Sequence, residues 1–100
     1  MDIKDLTKNM HDFVSSKGWY KEDSKRLQSP RNLAISINLE AAELLEHFQW
    51  SDSCDDLESL ADEMADVSLY LLQLASITGI DLEEAILHKL SINSDREWER

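Results

Sequence analysis

Residues 29–50, SPRNLAISINLEAAELLEHFQW, restrict the possible fold more than any other stretch of the chain. Ser29 followed by Pro30 is a helix-start signal. The serine side chain can cap free N–H groups, and proline suits the first helical position, where its missing N–H costs nothing. The helical spacing then continues to about residue 49. On a wheel of about 100° per residue, Leu33, Ile37, Leu44 and Phe48 form one face, which Ala34, Ala41 and Leu45 widen. Ile35, Leu39 and Ala42 lie on the other side. A helix apolar nearly all round is buried on several sides. A chain of 100 residues has material for a single small core, so this helix predicts a homo-oligomer, at least a dimer.

The other segments fit the same architecture. Ile3, Leu6, Met10, Phe13 and Val14 recur at helical spacing within residues 2–17, and Gly18 stands where a left-handed helix end belongs. Residues 18–28 are polar and aperiodic and read as a surface loop. Its Trp19–Tyr20 pair is either an anchor to the core or a platform for a flat ligand, and isolated aromatics more often pack. SDSCDD, residues 51–56, breaks the helical pattern. A third helix over about residues 55–78 carries Leu57, Leu60, Met64, Val67, Leu71 and Leu74 on one face, with Gly79 at its end. Asp81 and Glu84 have the form of a capping box and open a fourth helix. Its apolar stripe is Leu82, Ala85, Ile86, Leu90 and Ile92, and its polar stripe is Lys89, Asn93 and Arg96. Two glycines, one proline and few β-branched runs agree with an all-α fold. The expected protomer is one four-helix, bundle-like domain over residues 1–100.

Charge narrows the partners. Ten Lys+Arg face 21 Asp+Glu, a formal net charge of -11. Such a surface repels phosphate backbones, which argues against nucleic acid as a partner. An anionic substrate would need a positive mediator, most simply a divalent cation. Cys54 is the single cysteine, so no intrachain disulfide forms and a reducing compartment is expected. Cys54 itself reads as incidental. The first residues lack the apolar core of a signal peptide and no apolar run reaches about 18 residues, so no membrane segment and a cytoplasmic location are expected.

Glu40 and Glu43 lie three residues apart in the second helix, as do Glu63 and Asp66 in the third. Residues at this spacing share a helix face. Other acidic pairs in the chain have the same spacing; these two differ in being bracketed by apolar residues. Unpartnered carboxylates are costly to bury, and clustering adds repulsion. Both costs vanish if the two helices face each other across a hard cation, and oxygen ligands select Mg²⁺ or Mn²⁺. The same side chains could instead line a solvated groove or pair with Arg31, Lys89 or Arg96. A di-iron bundle needs Glu-x-x-His pairs. Leu44 and Ala85 stand three residues before His47 and His88, so neither histidine is expected to be a ligand.

The acidic motif, Glu40-Ala-Ala-Glu43 followed by Glu63-Met-Ala-Asp66, resembles that of the MazG-like all-α nucleoside triphosphate pyrophosphohydrolases, especially the small dCTP pyrophosphatase-like branch. The words SPRNLA, ELLEHFQW and DVSLYLLQLA carry the resemblance further, and it runs over residues 13–96. It implies that Glu40, Glu43, Glu63 and Asp66 coordinate Mg²⁺. It also implies cleavage of a nucleoside triphosphate to a monophosphate and pyrophosphate in a homodimer or dimer of dimers, as nucleotide-pool house-cleaning. Glu40 or Glu43 is the implied general base. Trp19 and Trp50 match base-packing aromatics, Tyr70 matches a nucleotide contact, and Lys89, Asn93 and Arg96 fall on a pattern resembling the phosphate-binding residues. Two departures concern base recognition. KEDSKRLQ makes a longer loop that lacks the family's Phe-His, and Met10 stands where some relatives have a histidine, with His11 one step away and pointing elsewhere. The competing reading is a non-catalytic helical module that binds a nucleotide or a partner.

Overall fold

The computed structural model describes residues 1–96. The last four residues lie outside the described residues. Four helices follow in order: α1 Ile3–Ser16, α2 Pro30–Glu46, α3 Leu57–Ile77 and α4 Leu82–Asp95. Among the described residues there is no strand, and no helix is long and apolar enough to cross a membrane.

The helix ends follow from their sequences. Ser29 Oγ accepts from Asn32 N at 3.2 Å with Pro30 in the first turn, as the Ser-Pro signal predicts. Asp56 and Asp81 cap α3 and α4, accepting from Ser59 N at 3.0 Å and Glu84 N at 3.1 Å. The full reciprocal capping box lies elsewhere, between Asp2 and Asp5 of α1. Gly18 and Gly79 both adopt positive φ, 71° and 75°, where a side chain would be strained. Helix α2 stops at Glu46, about three residues short of expectation. Beyond it, the amides of His47, Phe48 and Gln49 turn to carbonyls three residues back, at 3.3, 2.9 and 3.4 Å.

Helix α3 is the spine. It packs most extensively on α2, less on α1, and only lightly on α4. Helices α2 and α3 run antiparallel: Gln28 meets Gln73 ahead of the first turn of α2, and His47 meets Glu63 after its last. The buried apolar residues are few: Met10, Val14, Leu33 and Ala75. The stripe expected on α3 is only half covered. Leu60, Val67 and Leu74 are half-buried, while Leu57, Met64 and Leu71 are exposed. The stripe expected on α4 fares worse, with Ile86, Leu90 and Ile92 exposed. The cause is geometric, since among the described residues only α1 and α2 pack extensively on α3. The Cα radius of gyration, 16.1 Å, exceeds the roughly 13 Å of a compact 100-residue domain.

A polar network ties the 18–28 segment to the spine. Gln73, 2% exposed, donates from Nε2 to Tyr20 Oη at 3.3 Å and to Gln28 Oε1 at 3.1 Å. Tyr20 Oη also bonds His11 Nδ1, and His11 Nε2 meets Ser76 Oγ at 2.7 Å. Burial raises the Tyr20 pKa, with the Gln73 hydrogen bond pulling the other way. Gln28 N donates to Trp19 O at 3.2 Å, closing the loop at its base. Tyr20 is therefore the anchor of the aromatic pair, and His11, one step from the expected register, is part of that anchor.

Candidate functional site

Helix α2 carries Glu40 and Glu43, and His47 follows at its C-cap, an i, i+3, i+7 series along one face. Helix α3 answers with Glu63, Asp66 and Tyr70 at the same spacing. The antiparallel packing brings the two acidic pairs together.

Glu40 is the most perturbed member. It is half-buried, and its Oε2 is shut off from solvent with no hydrogen-bond partner. Desolvation is the largest force raising its pKa, followed by the charges of Glu43 and Asp66, a hydrogen bond to Glu43, and the charge of Glu63. All four acids thus share one electrostatic neighbourhood. Glu43 and Asp66 are exposed and Glu63 is half-buried. Among the described residues neither Arg31 nor Lys89 forms an ion pair with any of them.

The partner that does appear is His47. Its Nε2 bonds Glu63 Oε2, and both side chains are largely covered, at 16% and 21% exposure. Its Nδ1 lies 3.5 Å from Cys54 Sγ, which is also 3.4 Å from Asp56 O. Cys54, read from the sequence as incidental, thus lies against a half-buried His47, while His88 is exposed. Glu43 and His47 are four apart and share a face, but the partner of His47 comes from α3, which no local spacing reveals.

A divalent cation fits this donor set. An orphaned, desolvated carboxylate oxygen among three further carboxylates is the environment a hard cation relieves, and every donor is oxygen. Among the described residues no three His, Cys, Asp or Glu side chains are already gathered at metal-ligating distance.

Next to the acids lies a hollow of about 240 Å³ lined by Trp19, Lys25, Arg26, Leu27, Gln28, Asn32, Ser36 and Tyr70. Ser36 is one turn before Glu40 and Tyr70 one turn after Asp66, so on both helices it adjoins the carboxylates. Trp19 is half-buried, its ring edge-on to Phe13 at 5.6 Å, with the Arg26 guanidinium 5.5 Å from its centroid. Asn32 is positioned by an Nδ2 hydrogen bond to Leu27 O at 2.9 Å. The hollow thus unites Trp19 and Tyr70 but not the other residues expected to meet a substrate. Trp50 is 88% exposed beyond α2, and Lys89, Asn93 and Arg96 lie on or just past α4, away from the lining. The cations that do line it, Lys25 and Arg26, belong to a loop whose lack of periodicity gave no clue to where they point.

Residues 35–99 match the model of the MazG-like family. The chain belongs to the MazG-like family. A solved pyrophosphatase from Archaeoglobus fulgidus superposes with a TM-score of 0.73 at 36% identity, over 90% of this chain and 86% of that one. Human dCTP pyrophosphatase 1 is 29% identical over 94% of the chain, and the chain spans only 58% of that relative's length. A shorter match, 50% identical over 38 residues, or 38% of the chain and 36% of the relative, joins it to the dATP/dGTP diphosphohydrolase of Cyanophage S-2L. This MazG-like chain therefore shares its helical frame with a solved pyrophosphatase and sequence similarity with proteins named for hydrolysis of dCTP and of dATP/dGTP.

Proposed function

We propose that the chain is a nucleoside triphosphate pyrophosphohydrolase that uses Mg²⁺, with Mn²⁺ as a substitute, and yields a nucleoside monophosphate and pyrophosphate. The observation that carries this reading is the orphaned Glu40 Oε2 among Glu43, Glu63 and Asp66, beside a hollow with an aromatic wall. The names of its relatives agree.

The base occupies the hollow, against Trp19 and near Tyr70, with the Asn32 and Ser36 side chains as polar contacts. The triphosphate extends toward the acids, with Lys25 and Arg26 offsetting charge at the rim. Glu40, Glu43, Glu63 and Asp66 would hold the cation, which when bound would supply polarisation of the phosphoryl oxygens and a more acidic water. Glu40 or Glu43 accepts the water's proton. Water attack between the α and β phosphates then leaves pyrophosphate, and a nucleotide-clearing role follows from that product.

The working unit is a homo-oligomer. Leu39, Leu45, Leu57, Met64, Leu87 and Leu90 are each more than half exposed, which is costly to leave in water. A second copy supplies the cover that α2 and α4 lack, and it can bring further side chains to the phosphates.

The decisive measurement is pyrophosphate release across canonical and modified NTPs with Mg²⁺ and Mn²⁺. Turnover of at least one nucleotide is expected, lost in Glu40→Gln and Asp66→Asn while helicity by circular dichroism persists. Nucleotide binding without product under either ion would refute the reading and leave a non-catalytic module.

A further inference from the structure

The acids are not equally constrained: among the described residues Glu63 has a hydrogen-bonded partner from outside the acidic set, and that partner has a neighbour of its own. We propose that His47 is a positioning residue that donates Nε2–H to Glu63 Oε2, reserving Glu63 Oε1 for the cation, and that Cys54 steadies His47 from behind. This rests on the reading of Glu63 as a cation ligand.

The geometry fixes the roles. An ionised carboxylate only accepts, so the nitrogen facing it, Nε2, carries the proton. In the neutral ring Nδ1 is then an acceptor, and the Cys54 thiol lies 3.5 Å from it, its one proton shared between Nδ1 and Asp56 O at 3.4 Å. The backbone makes the arrangement possible. His47 ends α2, where its amide turns to Leu44 O and Leu45 O, and its side chain crosses to the second turn of α3. Cys54 lies in the connection between the two helices, so a single link ties the end of α2, the 51–56 turn and a ligand on α3. A glutamate has freely turning side-chain bonds; one already held on Oε2 presents Oε1 with less ordering left to do when a cation arrives. The hydrogen bond takes up one of the two Oε2 lone pairs, which favours Oε1 as the ligating oxygen.

Titration of chelator-treated protein with Mn²⁺, following the free-ion signal by electron paramagnetic resonance, tests this without reference to turnover. His47→Ala is expected to weaken Mn²⁺ binding about 10- to 100-fold, the usual effect of losing such a partner. His47→Gln, which places an amide nitrogen near the position of Nε2, is expected to recover most of the affinity. His47→Asn, whose nitrogen falls near Nδ1, is not. Cys54→Ala should cost less than His47→Ala. Affinity unchanged in His47→Ala, or equal recovery by Gln and Asn, would overturn the positioning role. Wild-type protein that binds no Mn²⁺, or Glu63→Gln that binds as well as wild type, would instead overturn the ligand assignment beneath it.

Discussion

Replacing Glu40 by glutamine should make the cation-free protein more stable while removing its activity. Two costs are relieved. An acceptor buried without a partner costs about 1–3 kcal/mol, and the half-burial of Glu40 places it at the low end of that range. Each like-charged neighbour about one turn away adds about 0.2–0.5 kcal/mol, and Glu43 is such a neighbour, with Asp66 and Glu63 across the interface. Glutamine keeps the shape, carries no charge and offers donors to the acids around it. A net gain of about 1 kcal/mol corresponds to a Tm rise of about 4–8 °C for a domain of this size. The pH dependence follows from the direction of the shift. The Glu40 pKa is raised in the folded chain above its ordinary value of 4.5. Below about pH 4 the group is protonated whether folded or not, so the stabilisation linked to that proton is complete. It is lost as pH rises through the folded pKa. The glutamine variant has no such proton to lose. Calorimetric melts in chelator should therefore show nearly equal Tm values near about pH 4 and a gap favouring the variant at neutral pH. Adding Mg²⁺ at about 100 times its Kd stabilises wild type by about 2.7 kcal/mol and reverses the order. A variant no more stable than wild type in chelator at neutral pH would refute the account of Glu40 as a strained, unsatisfied acid.

Gln73→Leu should destabilise the chain by about 1–3 kcal/mol, because it strands Gln28 Oε1 without its buried donor and removes a partner of Tyr20; a chemical-denaturation midpoint equal to wild type would contradict this. Trp19→Ala should lower kcat/KM by about 5- to 150-fold, the equivalent of the roughly 1–3 kcal/mol of one base-stacking contact. The loss should lie mainly in KM and appear with every nucleotide turned over, and a change confined to kcat would place Trp19 outside the base site.

The helices and their caps were legible because each rests on local chemistry. Ser29-Pro30, Gly18 and Gly79 act within a turn, and the carboxylate pairs stand out by periodicity. What escaped were consequences of two segments meeting. Gln73 sits among leucines in a helical pattern, and nothing local says that Tyr20 and Gln28 arrive from some 45 or more residues away to satisfy it. The Lys25 and Arg26 side chains reach the hollow only because their loop is folded against α2. The α3 and α4 stripes were identified as apolar, yet within one chain they stay uncovered. Periodicity reports which residues need cover, not which molecule provides it.

The hydrogen bond from Gln28 N to Trp19 O bears on how this frame can diversify. Residues 20–27 form a bight knotted at both ends, by that bond and by Gln73 holding Tyr20 and Gln28. Chain added or removed inside the bight leaves Trp19 and α2 where they are, and doubling its length costs only about 0.6 kcal/mol in closure entropy. The segment that faces the hollow with Lys25, Arg26 and Leu27 can thus be rewritten without disturbing the four carboxylates. Selectivity and chemistry are free to evolve at separate rates, one on an exchangeable cassette and the other on a fixed spine.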